Sequence, residues 1–295
     1  MELDPSLTPE EIAARYRFAN FTEFIESYKW VTNYLAGPAE FALAARRLLE
    51  RLAGENVSYA EITLSAGVVL FRGRDLAAIW EAVREEARRS PVRTLWLFDA
   101  VRQFGPEAAM RVAEFAAARI DEGIAAFGIG GDERLAPAER FHDVFRFARQ
   151  SGLRVTAHAG ETSGPESVWA ALKLGAERIG HGIGSIHDPV LLRYLREREI
   201  PLEICLTSNL ATGAVASWDE HPIRRLYDAG VPIILGSDDP AMFQTTLTRE
   251  FELAASRFGF SEEELRGIAA NGFRYAFDHP RRLISGSANT SGSAE

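Results

Sequence analysis

Four short polar clusters interrupt otherwise apolar stretches of this 295-residue sequence: G-I-G-G-D-E at Gly128–Glu133, H-A-G-E at His158–Glu161, G-H-G at Gly180–Gly182 and G-S-D-D-P at Gly236–Pro240. Histidine nitrogen and carboxylate oxygen are ordinary ligands for zinc, and a bound metal ion lowers the pKa of its water from 15.7 to about 7. Each cluster alone has a plain structural reading. His158 and Glu161 suit a core histidine and a helix-start carboxylate. The glycines around His181 suit backbone crowding as well as a ligand's close approach. Adjacent acids such as Asp238 and Asp239 are common on surfaces, but behind the apolar run Val231–Leu235 their repulsion has to be offset by a cation or a proton. Four clusters at the ends of four apolar runs are harder to explain structurally, and together they point to metal-assisted hydrolysis.

Stepping to the segments that carry them, apolar runs after Glu55 alternate with stretches of helical periodicity. The runs predict seven strands: Val57–Ser65, Arg93–Ala100, Ile124–Gly130, Leu153–His158, Arg178–His181, Pro201–Leu206 and Pro232–Gly236. Helices are expected between them at Asp75–Arg89, Pro106–Asp121, Pro137–Gln150, Gly164–Leu174, Pro189–Arg198 and His221–Ala229, several opened by a proline in the first turn. Strict alternation requires parallel strands with right-handed crossovers, hence a doubly wound α/β sheet or a (β/α)8 TIM-like barrel, and the strand count favours the barrel. In either fold the carboxyl ends of the strands form the site, which is where the clusters fall.

Before the first strand, Phe21, Phe24, Ile25, Tyr28 and Val31 recur at helical spacing, followed by a second helix at Pro38–Ala53. A single domain over residues 1–284 is expected, with residues 9–53 as a helical lid region. Ser285–Glu295 is small, polar and aperiodic, and reads as a disordered tail.

Acidic residues outnumber basic ones by 42 to 33, a formal charge of -9, with no basic block. That argues against nucleic acid or anionic membrane as partners. No run approaches the ~20 apolar residues of a membrane span. The one cysteine, Cys205, forms no internal disulfide and reads as a buried apolar residue rather than a nucleophile. A cytoplasmic protein follows as the expectation, with the oligomeric state left open. His142, His187, His221 and His279 lie among charged neighbours and are assigned to the surface. Gly128–Gly131 lacks the lysine and spacing of a phosphate-binding loop.

H-A-G-E, then R-I-G-H-G about twenty residues on, T-S-N-L-A-T-G and S-D-D-P, in that order, resemble the adenosine deaminase family. The likeness extends to Y-A-E-I at Tyr59–Ile62, to G-G-D-E and to the aromatic helix around Phe24 and Tyr28. It implies a zinc hydrolase, with one ion per chain, that replaces the 6-amino group of a purine nucleoside by oxygen. His158 and Asp238 would be metal ligands, and Glu161 the acid that protonates ring nitrogen N1. His181 would orient the attacking water. Gly131 and Asp239 would hold the purine at N3 and N7, with Phe21, Phe24, Ile25 and Tyr28 as a lid. Adenosine is the leading substrate expected. Aminodeoxyfutalosine is second, because E-I-T-L-S-A-G departs from the R-F-S-P usual in adenosine enzymes. The single cysteine excludes the other class of zinc deaminases, which use a His/Cys/Cys site.

One family feature has no counterpart. Family members begin with a strand ending in H-x-H that supplies two zinc ligands, and no histidine precedes His142 here. Met1–Pro5 resembles the middle of the family's first helical region, so the barrel is expected to lack its first strand. His158 and Asp238 make two ligands where three are usual. Weak zinc binding is therefore expected of this sequence, with a non-catalytic purine-binding protein as the alternative.

Overall fold

The computed structural model describes residues 3–278; the proposed tail at Ser285–Glu295 and His279 lie outside them. Seven strands form: β1 (Tyr59–Leu64), β2 (Arg93–Val101), β3 (Ile124–Gly130), β4 (Arg154–Ala159), β5 (Arg178–His181), β6 (Leu202–Ile204) and β7 (Ile233–Leu235). Every neighbouring pair is parallel and the spatial order is β1 to β7 without a reversal. A doubly wound sheet needs a switch point where the order reverses. This sheet has none, so the barrel-like reading holds.

The sheet curls. Arg178 on β5 lies 2.5 Å from Glu61 on β1 and its Nε 3.0 Å from Glu203 on β6. Strands four apart in a flat sheet would be separated by roughly 19 Å at about 4.8 Å per strand, so the inner face must be concave. Alternation along β2 sets the two sides. Phe98 faces outward against Trp80 (ring centroids 5.3 Å), whereas Leu97 packs inside with Ala126 and Phe277. The outward faces of the strands and the inward stripes of the helices bury one continuous apolar core that runs through Ile79, Phe98, Phe127, Phe145, Ile179 and Leu202.

The crossover helices are started locally. Asp75 accepts from the backbone N–H of Ala77 and Ala78 to open Leu76–Arg89. Asp188 does the same for Pro189–Glu197, satisfying donors that the first turn otherwise leaves unpaired. Several expected boundaries shift. Pro106–Asp121 becomes Gly105–Ala117 followed by a separate turn at Ile120–Glu122, fixed where Trp80 Nε1 donates to Glu122 at 2.8 Å. The expected His221–Ala229 helix is Ile223–Asp228, and the strand at Pro201–Leu206 shortens because the chain turns at Cys205 into a helix, Leu206–Ala211. Leu247–Phe258 and Glu262–Arg274 are helices that the strand–helix alternation did not include.

Among the described residues β1 pairs only with β2 and β7 only with β6, so both are edges, as expected from the sequence. Open strand edges invite unwanted pairing, and the C-terminal region contacts residues of both. Asn271 donates to the Ile233 carbonyl at 2.9 Å, and the Phe277 N–H donates to Glu61 at 2.6 Å. At the opposite, carboxyl end, the Phe21–Thr32 helix spans from one edge to the other. Tyr28 Oη donates to Ser65 just after β1 at 3.0 Å, and Phe24 stacks on Phe243 beyond β7 at 5.1 Å. No helix among the described residues is long and apolar enough to cross a membrane.

Candidate active site

The carboxyl ends of β3 to β7 bring the four polar clusters to one mouth. His158 is the fifth residue of β4, His181 ends β5, and Asp238 follows β7. The rings of His158 and His181 lie 5.3 Å apart. Glu161 Oε2 is 3.6 Å from His181 Nε2, with side-chain exposures of 9% and 4%. Ser208, from the T-S-N segment after β6, donates to Asp238 Oδ2 at 2.7 Å. Donor atoms of His181, Cys205 and Asp238 fall within 4.8 Å of one another. Backbone strain accompanies the arrangement: His181 at φ 60° and Asp238 at φ 51° are non-glycine residues in the left-handed region, a conformation that persists only where surrounding structure enforces it.

Burial sets the protonation states. The Glu161 carboxyl is pushed up to about 8 by burial and then by the charge of Asp238, so near neutral pH it carries a proton to donate. Asp239 is also raised, by burial and by the charges of Asp238 and Asp99. Burial, with Asp238 close by, drives the Cys205 thiol well up, so it stays a thiol. The sequence expectation that Cys205 is not a nucleophile agrees with that environment.

The loop carrying Glu161 is held by Glu133, which the sequence reading quoted in G-G-D-E without a role. Its carboxylate accepts from the backbone N–H of Gly160 at 2.7 Å, Glu161 at 2.9 Å and Thr162 at 3.1 Å, and from the Ser167 hydroxyl. Burial alone would raise its pKa; the Ser167 and backbone hydrogen bonds outweigh it and leave the carboxyl below its ordinary value. Gly131 sits at φ 94°, and a Cβ there would run into the Gln103 amide. Only glycine fits this turn.

The aromatic helix is placed as the spacing requires. Phe24 is buried, and Phe21, Ile25 and Tyr28 pack around it with Met242 and Phe243 from the loop that follows Asp238–Asp239. Two residues escaped the sequence reading. Asp99, inward-facing on β2, is buried, its Oδ1 lacks a hydrogen-bond partner, and burial pushes its pKa up to about 6. His221, assigned to the surface, is 5% exposed and stands behind His181 through Asn209. That assignment is corrected: its charged sequence neighbours point elsewhere while the ring turns inward against Phe258. His142 and His187 are exposed, as expected.

Two of the side chains have atoms left free to accept a cation. A carbonyl can only accept, so the 3.3 Å contact of His158 Nδ1 with the Ile129 carbonyl puts the proton on Nδ1 and leaves Nε2 bare, the usual support for a ligating histidine. Asp238 is exposed to the mouth with Oδ2 held by Ser208. The donor types of both residues suit zinc, which normally takes three or more protein ligands.

The sequence profile of the adenosine deaminase family matches residues 3–285. The chain belongs to the adenosine deaminase family. It is 40% identical over 277 residues to the aminodeoxyfutalosine deaminase of Streptomyces avermitilis, a match covering 91% of this chain and 77% of that protein. The adenine deaminase of Arthrobacter aurescens superposes with a TM-score of 0.85 at 28% identity, over 92% of this chain and 85% of that one. An amidohydrolase from Burkholderia ambifaria, solved with bound Zn, superposes with a TM-score of 0.77 at 28% identity, over 82% of this chain and 69% of that one. Like these relatives, the chain is a deaminase-family hydrolase on an α/β, TIM-like sheet.

Proposed function

We propose that this member of the family hydrolyses the exocyclic amine of a 6-aminopurine bearing a ribose-like substituent, with aminodeoxyfutalosine ahead of adenosine as substrate. The observation that carries the reaction is Glu161: a carboxyl held protonated near pH 7, 3.6 Å from His181 and beside Asp238. Water attack on C6 of an aromatic ring is uphill until N1 takes a proton, and a carboxylic acid of raised pKa is the group that can give one. In this reading Glu161 protonates N1 while His181 orients the water. The C6–O bond forms and the C6–N bond breaks; of the two protons of the water, one returns to Glu161 and the other leaves with the amine as ammonia, giving the 6-oxo product. Purine N7 is an acceptor, which suits Asp239 with its raised pKa, and Gly131 brings backbone to N3. The Phe21–Thr32 helix would close over the bound purine.

His158 and Asp238, with further donors, would hold one zinc ion, which supplies a water of lowered pKa when bound. Support comes from their ligand-ready orientation and from the Zn reported for the Burkholderia relative. Asp238→Ala is expected to lose zinc, measured by metal analysis after desalting; unchanged zinc content overturns that role.

Aminodeoxyfutalosine moves ahead of adenosine because the Streptomyces relative is 40% identical over 277 residues and because Glu61–Gly67 departs from the adenosine-enzyme pattern. The test is ammonia release from aminodeoxyfutalosine, adenosine and adenine by zinc-supplemented protein. The highest kcat/KM on aminodeoxyfutalosine is expected. A preference for adenine would overturn the ribose-bearing substrate, and purine binding without ammonia release would favour the non-catalytic alternative.

A further inference from the structure

We infer that Asn209 and His221 are positioning residues that lock His181 in the tautomer carrying its proton on Nε2, so that His181 meets the oxygen at C6 as a hydrogen-bond donor. The inference rests on the proposed role of His181 in deamination, but the tautomer itself follows from geometry. Five buried or half-buried groups form one chain of four contacts. The backbone N–H of Ile223 lies 3.2 Å from His221 Nδ1. His221 Nε2 is 3.3 Å from Asn209 Oδ1, and Asn209 Nδ2 is 3.0 Å from His181 Nδ1. His181 Nε2 then faces Glu161 Oε2 at 3.6 Å. Asn209 is fully buried, and His181 and His221 are 3% and 5% exposed, so water does not compete for these sites.

The direction of this chain has one solution. Imidazole nitrogens and the two ends of an asparagine amide can exchange roles, and ordinarily their assignment is a choice. A backbone N–H cannot exchange, because it only donates. His221 Nδ1 must therefore accept, and the proton of the neutral ring sits on Nε2. That proton requires an acceptor, which sets Oδ1 of Asn209 toward His221 and its NH2 toward His181. The amide N–H then donates to His181 Nδ1, leaving the His181 proton on Nε2, on the mouth side. Turning the Asn209 amide over would aim its NH2 at His221 Nε2, which already carries a hydrogen. Burial lowers the His221 pKa to about 4, so the ring remains neutral at physiological pH and the chain keeps its direction.

The consequence is a division of labour between two histidines at the same mouth. His158, anchored to a carbonyl, carries its proton on Nδ1 and offers a bare Nε2. His181, anchored to an amide N–H, is set the opposite way and offers Nε2–H. A neutral His181 in this form neither takes a proton from the attacking water at Nε2 nor ligates a metal through it. It can stabilise negative charge developing on the oxygen at C6, the task of a preorganised donor.

Long-range 1H–15N correlation spectra of histidine-labelled protein, recorded without substrate or added metal, report the tautomers directly. His181 and His221 are expected as Nε2–H forms and His158 as Nδ1–H; an Nδ1–H signature for His181 overturns the inference whether or not the protein deaminates purines. Asn209→Asp replaces the donating NH2 with a carboxylate oxygen that demands a proton from His181 Nδ1. It is expected to shift His181 to the Nδ1–H or doubly protonated form and to lower kcat at least ~10²-fold, with KM changed less than about threefold. His221→Gln, which can still donate to Asn209, is expected to retain more kcat than His221→Phe. A normal kcat in Asn209→Asp with a moved tautomer overturns the positioning role, and an unmoved tautomer in that variant overturns the chain itself.

Discussion

The inner face of the sheet carries buried carboxylates at both ends, and the two ends treat them in opposite ways. At the floor, Glu61 and Glu203 flank Arg178, whose guanidinium also lies 3.6 Å from the centre of the Phe277 ring. The two carboxylates keep Arg178 charged against the pull of burial. At the mouth, Glu161, Asp239 and Asp99 are all raised: Glu161 and Asp239 by burial and by the charge of Asp238, and Asp99 by burial against the opposing pull of His158 and a Ser65 hydrogen bond. Charge is compensated where the sheet has to be held in its curl. At the mouth burial outweighs what compensation there is, where the proposed reaction needs a proton donor and a cation site. The same residue type thus serves ion pairing at one end and, in the proposed mechanism, reactivity at the other.

The strongest way to break this comparison is Arg178→Ala. It strands the Glu61 and half-buried Glu203 carboxylates, and losing one side of a buried ion pair costs about 3–5 kcal/mol, which for a chain of this size lowers the melting temperature by roughly 10 °C. A shift of under ~2 °C would show that the floor pair does not hold the curl. Neutralising the carboxylates together with the arginine, as in Glu61→Gln, Arg178→Met and Glu203→Gln combined, is expected to recover part of the loss.

At the mouth, Glu161→Gln is expected to bind purine but to turn it over at least ~10²-fold more slowly, about 2.7 kcal/mol in the barrier, with little change in melting temperature. Near-normal turnover would remove Glu161 from acid catalysis.

Glu133 lies between the two regimes, since it is buried yet satisfied by four donors. Glu133→Gln sets an NH2 group against backbone N–H groups and is expected to cost about 1–3 kcal/mol. The native carboxyl has a folded pKa below its ordinary value of 4.5. Its stabilisation is therefore present above about pH 4.5 and lost as pH falls through the lower folded pKa. Chemical denaturation from pH 7 down to 3 checks this: the native-minus-variant difference should shrink below pH 4.5, and a constant difference would contradict it.

The smallest effect has the opposite sign. Asp99→Asn removes a buried charge whose burial outweighs the help of His158 and Ser65, and at pH 8 it is expected to raise stability by about 1 kcal/mol or less, since the new amide must also be buried. Thermal melting checks the sign; a marked loss would show that Asp99 is compensated as the floor carboxylates are.

Much of the framework was readable in the residues because its causes are local. The seven apolar runs and the prolines and aspartates opening the intervening helices specify strands and crossovers through periodicity and capping. Strand ends followed by glycine-bounded polar clusters mark a mouth, and the observed positions of His158, Glu161, His181 and Asp238 follow from that. Boundaries moved where a turn depended on a distant partner, as at Ile120–Glu122 under Trp80.

By itself, then, the sequence determined the parallel sense of the strands, the face of the Phe21–Thr32 helix and the acids and histidines assembled at one end of the sheet, since period, caps and turn residues act within a few positions of themselves. Tertiary structure alone decided which charges are paired and which are not. Arg178 meets Glu61 across 117 residues only because the sheet curls. Asp99 loses its solvent because Gly130 of β3, His158 of β4 and Ser65 after β1 gather around it. His221, surrounded by polar residues in sequence, becomes a buried support for His181 because the loops after β5 and β6 meet. Protonation and tautomer follow desolvation and contact, and those exist only after the chain has folded.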